Sequence, residues 1–255
     1  MLLTMDIGNT QTNLGLFDRA ELNVVSRIAS DAKRTPDQLA AEIKAVFALY
    51  DTPVSAITGV MISSVLPGMD LAAMEAAEKL TGVTPYLLGP GVKSGLNIKI
   101  DNPAQLGSDL VAGAVAAMKL YGPPVIVLDF GTATKISAVD ASGAYLGCAI
   151  SAGLGISVDI MSSRTATLPP ISISAPDRII GTNTVASMQS GLILGTASMA
   201  DGMISRMEEE MGCGCKVAAT GGHAEKVICH MKREVILNQY LTLEGLRFIY
   251  EKNHR

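Results

Sequence analysis

Short apolar runs alternate with amphipathic stretches along the whole chain, the pattern of an α/β fold rather than of a sandwich or a helix bundle. Leu2 to Asp6 reads as a buried strand, Gly8-Asn9 as a turn, Thr12 to Phe17 as the antiparallel return and Leu22 to Arg27 as a third strand. Thr35-Pro36-Asp37-Gln38 has the form of a capping box, with Thr35 as N-cap and Pro36 at the first helical position. Leu39, Ile43, Val46, Phe47 and Tyr50 then recur on one helical face. Strands are expected at Ile57 to Val65 and Thr84 to Leu88, separated by an Ala-rich helix from Asp70 to Leu80.

A loop rich in Gly, Asn and Pro runs from Gly89 to Pro103, and Gly107-Ser108-Asp109 opens a second Ala-rich helix, Leu110 to Leu120. Val125 to Asp129 begins a new strand and hairpin. A Pro-rich loop around Pro169-Pro170, a long Met-rich helix from Val185 to Met211, a strand at Val217 to Thr220 and a last helix at Leu243 to Lys252 complete the pattern. The methionines read as adaptable core filler.

The most informative feature is an internal repeat. The segment from Leu3 to Thr12 lines up with that from Val127 to Thr134, each an apolar strand ending in Asp, then an apolar residue, Gly, Asn or Thr, and a hydroxyl-rich turn. Two such hairpins half a chain apart predict a duplicated fold of two lobes, 1–120 and 121–255, with a cleft between them. A Gly in the turn lets the backbone approach phosphate oxygens, and neighbouring N–H, Thr and Asn groups donate to them. The strand-end Asp is placed to hold hydrated Mg²⁺ or another cation against a triphosphate. Asp, Gly and Asn are common in ordinary hairpin turns too, so it is the second copy that favours the anion cradle.

At 255 residues the chain is long enough for either two lobes or one large domain. Although 48% of residues are hydrophobic, no apolar run reaches the ~18 residues of a membrane span. The start, Met1-Leu2-Leu3-Thr4-Met5-Asp6, has no basic and apolar leader pattern, so a cytoplasmic protein is expected. A net charge of −4 without any Lys/Arg block argues against nucleic acid as a partner. The four cysteines, Cys148, Cys213, Cys215 and Cys229, fit reduced, buried thiols. Cys213-Gly214-Cys215 with His223, Cys229 and His230 supplies soft ligands for zinc, but in no zinc-finger spacing.

Asp6-Ile7-Gly8-Asn9-Thr10, Ile62-Ser63-Ser64-Val65-Leu66-Pro67, Asp101-Asn102-Pro103 with Gly107-Ser108-Asp109, Asp129-Phe130-Gly131-Thr132-Ala133-Thr134, Thr220-Gly221-Gly222 and Leu241-Thr242-Leu243-Glu244-Gly245-Leu246 occur in this order. Together they resemble the type III pantothenate kinases, also described as Bvg accessory factor proteins. The resemblance covers essentially the whole chain. It implies the actin-like, acetate- and sugar-kinase fold, and ATP-dependent phosphorylation of pantothenate to 4'-phosphopantothenate, the first step of coenzyme A synthesis.

Carried over by position, the resemblance assigns Asp6, Ile7, Gly8, Asn9, Thr10, Gln11, Thr12 and Asn13 to the ATP phosphates, with Gly131 and Thr132 in the second hairpin. Asp6 would serve Mg²⁺, and Asp129 the monovalent cation, K⁺ or NH₄⁺, that the family requires. Asp109 would be the general base toward the primary hydroxyl of pantothenate, with Gly107, Ser108, Leu110 and Thr184 at the acceptor. On physical grounds alone, Asp109 reads as either a helix cap or a positioned base. A homodimer is implied as well, and the Met-rich helix offers it an apolar surface.

The chain departs from the family pattern at the acceptor. Leu110 replaces an Arg expected near the pantothenate carboxylate, Ile100 replaces a Tyr, and later glycine-rich and Pro-Gly positions read Gly147-Cys148 and Ala152-Gly153. A missing bidentate Arg removes a charge-assisted contact of roughly 1.5–3 kcal/mol. Two alternatives therefore stand beside pantothenate: a kinase of another small hydroxyl compound, and a nucleotide-binding regulatory paralogue.

Overall fold

The structure is a computed structural model that describes residues 1–254. The chain forms two compact units, one of Met1–Leu96, Asp101–Ala116 and the C-terminal residues from Leu241, the other of Asn97–Ile100 and Ala117–Tyr240. In chain order the elements are β1 (Leu2–Ile7), β2 (Gln11–Asp18), β3 (Glu21–Ala29), α1 (Pro36–Leu49), β4 (Gly59–Ser64), α2 (Asp70–Thr81), β5 (Tyr86–Leu87) and β6 (Asn97–Ile98). They continue with α3 (Ser108–Tyr121), β7 (Val125–Phe130), β8 (Ala133–Val139), β9 (Ala144–Ala152), α4 (Leu154–Arg164), α5 (Thr184–Gln189) and α6 (Gly195–Met211). The last are β10 (Lys216–Thr220), α7 (Ala224–Ile228), β11 (Ile236–Leu237) and α8 (Leu241–Asn253).

The duplication is visible in strand order. The first sheet runs β3-β2-β1-β4-β5 and the second β11-β10-β7-β8-β9-β6. In the first, β1 and β2 are antiparallel, β2 and β3 antiparallel, and β1 and β4 parallel. The second repeats this with β7, β8, β9 and β10, and appends β6 in parallel to β9. A central strand with a parallel neighbour must be covered on both faces, which is why β1 and β7 each show an almost continuous buried run.

In the first unit, Leu3, Met5, Ile7, Leu14 and Leu16 pack with Leu39, Ile43 and Phe47 of α1 and Ala73, Ala76 and Ala77 of α2. The capping box of α1 is complete: Gln38 N donates to Thr35 Oγ1 at 3.3 Å and Thr35 N to Gln38 Oε1 at 3.0 Å. Tyr50, expected on the apolar face, instead lies past the helix end, 48% exposed. In the second unit, Ile126, Leu128, Phe130 and Ile136 pack with Leu154 and Val158 of α4 and Ala197, Ala200 and Ile204 of α6. The Met-rich segment is interrupted, α5 passing through a π-helical stretch, Ser190–Leu194, into α6. Met203, Met207 and Met211 lie against the unit's own core, as filler.

A division at residue 120 places α8 in the second half, whereas this helix packs with the first unit. Leu241, Leu243, Leu246 and Ile249 are buried, and Gly245 approaches α3 so closely that a Cβ would lie 1.9 Å from the Ala112 carbonyl oxygen. Gly245 thus explains a position of the C-terminal Leu-Glu-Gly-Leu motif, since only backbone fits there.

Gly245→Ala is expected to lower the unfolding free energy by about 1–3 kcal/mol, because the clashing atom is backbone and cannot rotate away. Gly113→Ala, in the same helix pair but with no atom within 4 Å of the added Cβ, is expected to raise it by about 0.5–1 kcal/mol. Denaturant unfolding of both variants reads the two signs.

Candidate active site

In the first unit, β1 delivers Asp6 to its open end, where the buried run of the strand stops and the half-exposed carboxylate meets the turn. Register pairs Asp6 with Asn13, and Asn13 Nδ2 donates to Asp6 Oδ2 at 3.3 Å. The turn is closed by Gly8 N donating to the Gln11 carbonyl at 3.0 Å, which leaves Asn9, Thr10 and Gln11 exposed. Thr12 is buried and its hydroxyl is shared with Ser30 Oγ at 2.9 Å, so it braces β2 against β3. Ile7 is core. Of the eight positions assigned to phosphates, the exposed turn residues and the Asp6–Asn13 pair present polar groups outward, while Ile7 and Thr12 hold the turn.

In the second unit the turn is one residue shorter: Gly131 and Thr132 alone join β7 to β8, with Gly131 N donating to the Ala133 carbonyl at 3.2 Å. Two glycines enclose it. A Cβ on Gly153 would lie 2.4 Å from the carbonyl oxygens of both Gly131 and Thr132, and one on Gly221 would lie 2.7 Å from Asp129 Oδ1 and 2.6 Å from the Phe130 carbonyl carbon. Gly221 also has φ +98°, a backbone state natural to glycine. Next to it, the buried Nδ1 of His223 has no hydrogen-bond partner, and burial, aided by Lys226, pushes the imidazole below its ordinary pKa.

Asp129 occupies the position of Asp6 in the duplicate, but its register partner is Lys135 rather than an amide. Lys135 Nζ lies 2.7 Å from Asp129 Oδ2, with the two side chains 17% and 23% exposed. Sequence reasoning passed over Lys135, which the pairing of Phe130 with Thr134 sets opposite Asp129. The donor set around Asp129 therefore does not fit a monovalent metal ion, since its Oδ2 already holds an ammonium. The Asp6 carboxylate, with the Asn13 amide on its Oδ2, is a donor suited to hydrated Mg²⁺.

The start of α3 is locked to the end of β4. Ser108 Oγ accepts from Ser64 N at 2.9 Å, donates to the Ser64 carbonyl at 2.9 Å and lies 3.0 Å from Ser63 Oγ. Its hydroxyl is engaged in positioning. Asp109, in the first turn, accepts from Leu110 N through Oδ1 at 2.8 Å and bends back over Gly107, where a Cβ would be 2.6 Å from that oxygen. Gly107 thus makes room for the carboxylate. Leu110 and, in the second unit, Ile100 are half-exposed apolar side chains. Thr184 begins α5 and lines a second-unit cavity of about 540 Å³ with Leu168, Gly181, Asn183 and Ser187.

The cysteines do not assemble. Cys148 and Cys229 are exposed rather than buried, and among the described residues no three His, Cys, Asp or Glu side chains converge on a metal position. Burial pushes the Cys215 thiol up to about 11, so it stays protonated at neutral pH.

The family model of type III pantothenate kinases matches residues 2–206. The chain is 40% identical over 253 residues to the type III pantothenate kinase of Halalkalibacterium halodurans, covering 99% of this chain and 100% of that one. It is 41% identical over 253 residues to that of Moorella thermoacetica, with the same coverage. The chain is a member of the type III pantothenate kinase family. Among solved structures it resembles the (R)-2-hydroxyglutaryl-CoA dehydratase component A of Acidaminococcus fermentans, at TM-score 0.62 and 16% identity over 100% of this chain and 99% of that one. It also resembles a ROK hexokinase from Thermus thermophilus, at TM-score 0.53 and 13% identity over 99% of both. The family member thus has the duplicated actin-like fold of acetate and sugar kinases.

Ser108→Ala removes the hydroxyl that accepts from the Ser64 N–H and donates to the Ser64 carbonyl and is expected to cost about 1–3 kcal/mol. Urea unfolding measures it, and proteolysis near residue 107 should accelerate as the α3 start loosens.

Proposed function

We propose that this protein is a kinase that transfers the γ-phosphoryl group of ATP to the primary hydroxyl of pantothenate, opening coenzyme A synthesis. The observation that carries this reading is the match, at 40–41% identity over 253 residues, to relatives named type III pantothenate kinases. The geometry supports it from below. Asn9, Thr10 and Gln11 in one turn and Gly131 and Thr132 in the other offer the backbone and side-chain donors that phosphate oxygens need. Mg²⁺, held through water by Asp6, would neutralise phosphate charge. Asp109 takes the proton from the acceptor hydroxyl as its oxygen attacks the γ-phosphorus, and Gly107 leaves the carboxylate the space to turn. Ser108 fixes that helix start on β4, so the base is carried on a rigid element.

Leu110 favours a second reading. An aliphatic side chain directly after the proposed base gives no partner to a substrate carboxylate, so a less charged hydroxyl compound would lose nothing there. A regulatory paralogue that binds nucleotide without turnover is the remaining outcome. Nothing basic is concentrated along the chain to recruit nucleic acid, no described helix is long and apolar enough to cross a membrane, and we place the protein in the cytoplasm.

We also propose a homodimer. The support is exposed apolar side chains on the second unit: Leu146 and Ile150 on β9 and Ile156 and Ile160 on α4, with Ile150 64% and Ile160 53% exposed. These residues take the part expected of the methionines, of which Met203, Met207 and Met211 pack against the core.

ATP turnover with Mg²⁺ is expected to rise on adding pantothenate, and Asp109→Asn is expected to lower it by about 10²–10⁴-fold while nucleotide affinity stays within about twofold. Stimulation by other hydroxyl compounds but not by millimolar pantothenate would select the second reading. ATP binding without any stimulated turnover would select the regulator. Light scattering at micromolar concentration is expected to give twice the 26.6 kDa chain mass.

A further inference from the structure

The two halves of the duplicate differ in charge at one matched position. Asp6 faces Asn13 across β1 and β2, and Asp129 faces Lys135 across β7 and β8. Both carboxylates end a buried strand at a turn built to approach anions, and the second has a lysine ammonium as its cross-strand partner. The pair is not a loose surface contact: the N–O distance is 2.7 Å and both side chains are more than three-quarters buried. Directly opposed cross-strand positions hold the two groups together without ordering a long loop. The other carboxylate oxygen, Oδ1, borders the space that Gly131 and Gly221 leave open, 3.2 and 2.7 Å from where their Cβ atoms would be. Asp129 therefore presents one oxygen to Lys135 and the other toward the turn.

We propose that the Lys135 ammonium is this protein's built-in counterpart of the monovalent cation, so that the reaction needs no added K⁺ or NH₄⁺. The inference rests on the kinase reading above. An alkylammonium has the charge and the hydrogen-bonding head of NH₄⁺, and attachment to β8 fixes it beside the carboxylate at an effective concentration no free salt reaches. A K⁺ at the same carboxylate would sit within a few ångströms of that ammonium and be repelled by it. Electrostatic support for the phosphates is thereby present before nucleotide arrives and does not vary with salt composition.

The test compares wild type with Lys135→Met and Lys135→Gln in K⁺, NH₄⁺ and tetramethylammonium chlorides at equal ionic strength. Two readouts are taken: Mg²⁺-ATP turnover with acceptor, and the thermal midpoint of the protein without nucleotide. Wild-type turnover is expected to change by less than about twofold among the salts, while the variants fall about tenfold or more in tetramethylammonium and recover in K⁺ or NH₄⁺. Without nucleotide, the wild-type midpoint is expected to be equal in K⁺ and tetramethylammonium, and the variants' midpoints to rise by about 2 °C or more in K⁺ alone, as binding to the vacated carboxylate stabilises the fold. Stimulation of wild type by about tenfold in K⁺, or a K⁺-selective rise in its midpoint, overturns the proposal, as do folded variants indifferent to K⁺ in both readouts. Absence of turnover in every salt defeats the kinase reading instead, and the midpoints still decide the role of Lys135. If neither variant folds, the wild-type comparison alone decides.

Discussion

A carboxylate at the end of a buried strand is the constraint on which the rest of this architecture depends. Within β1 and β7 every neighbour of the aspartate is packed on both faces, and an unpaired charge there would cost several kcal/mol. The last turn of the strand is where such a group can leave the core while its backbone stays in the ladder. Each sheet solves the remaining problem through register, setting a polar partner directly across the hairpin: Asn13 for Asp6 and Lys135 for Asp129. The turn that follows must be short enough to keep this pairing and open enough for an anion, which accounts for Gly8 in one copy and for Gly131, crowded by Gly153 and Gly221, in the other.

The same backbone economy recurs where helices meet. Gly245 lets α8 approach the Ala112 carbonyl of α3, and the Ser108 hydroxyl ties the start of that same α3 to β4. The helix that carries Asp109 is thereby fixed at its first turn by a hydroxyl and along its length by a glycine contact. A proton acceptor needs this kind of support, because its reach toward a hydroxyl tolerates errors of only a fraction of an ångström. The C-terminal helix is in this sense part of what would hold the proposed base, although it lies more than a hundred residues from it in sequence.

Much of this was legible in the sequence where periodicity and punctuation agree. The strand-turn-strand of β1 and β2 and the capped helix α1 show their alternation and their Thr-Pro-Asp-Gln signal directly. Other elements were hidden for identifiable reasons. The β9 segment, Gly147-Cys148-Ala149-Ile150-Ser151-Ala152, is built of small residues with little apolar contrast, and α4, with Gly155, Ser157, Ser162 and Ser163, has weak propensity and is held by packing of Leu154 and Val158. The two-residue pairings of β5, β6 and β11 depend on partners distant in sequence, which no local pattern reveals. At the site, residue types marked the turns and Asp109, but not how their polar groups are directed: the Thr12 hydroxyl belongs to Ser30 and that of Ser108 to Ser64.

Duplication supplies the sharper lesson. Two copies of one unit begin with the same chemistry, and each departure between them marks a place where the halves have been assigned different work. The turn lengths differ by one residue, so the first copy exposes three polar side chains and the second only Thr132 between two close-packed glycines. The partner of the strand-end aspartate differs in charge. An amide stands across from Asp6 and an ammonium across from Asp129, and the proposed division of labour, a divalent ion at the first carboxylate and a lysine at the second, follows that difference. The two strand pairs share order and direction, and despite the difference in turn length each aspartate directly faces its partner across the hairpin; the difference in charge lies in the side chains at positions 13 and 135.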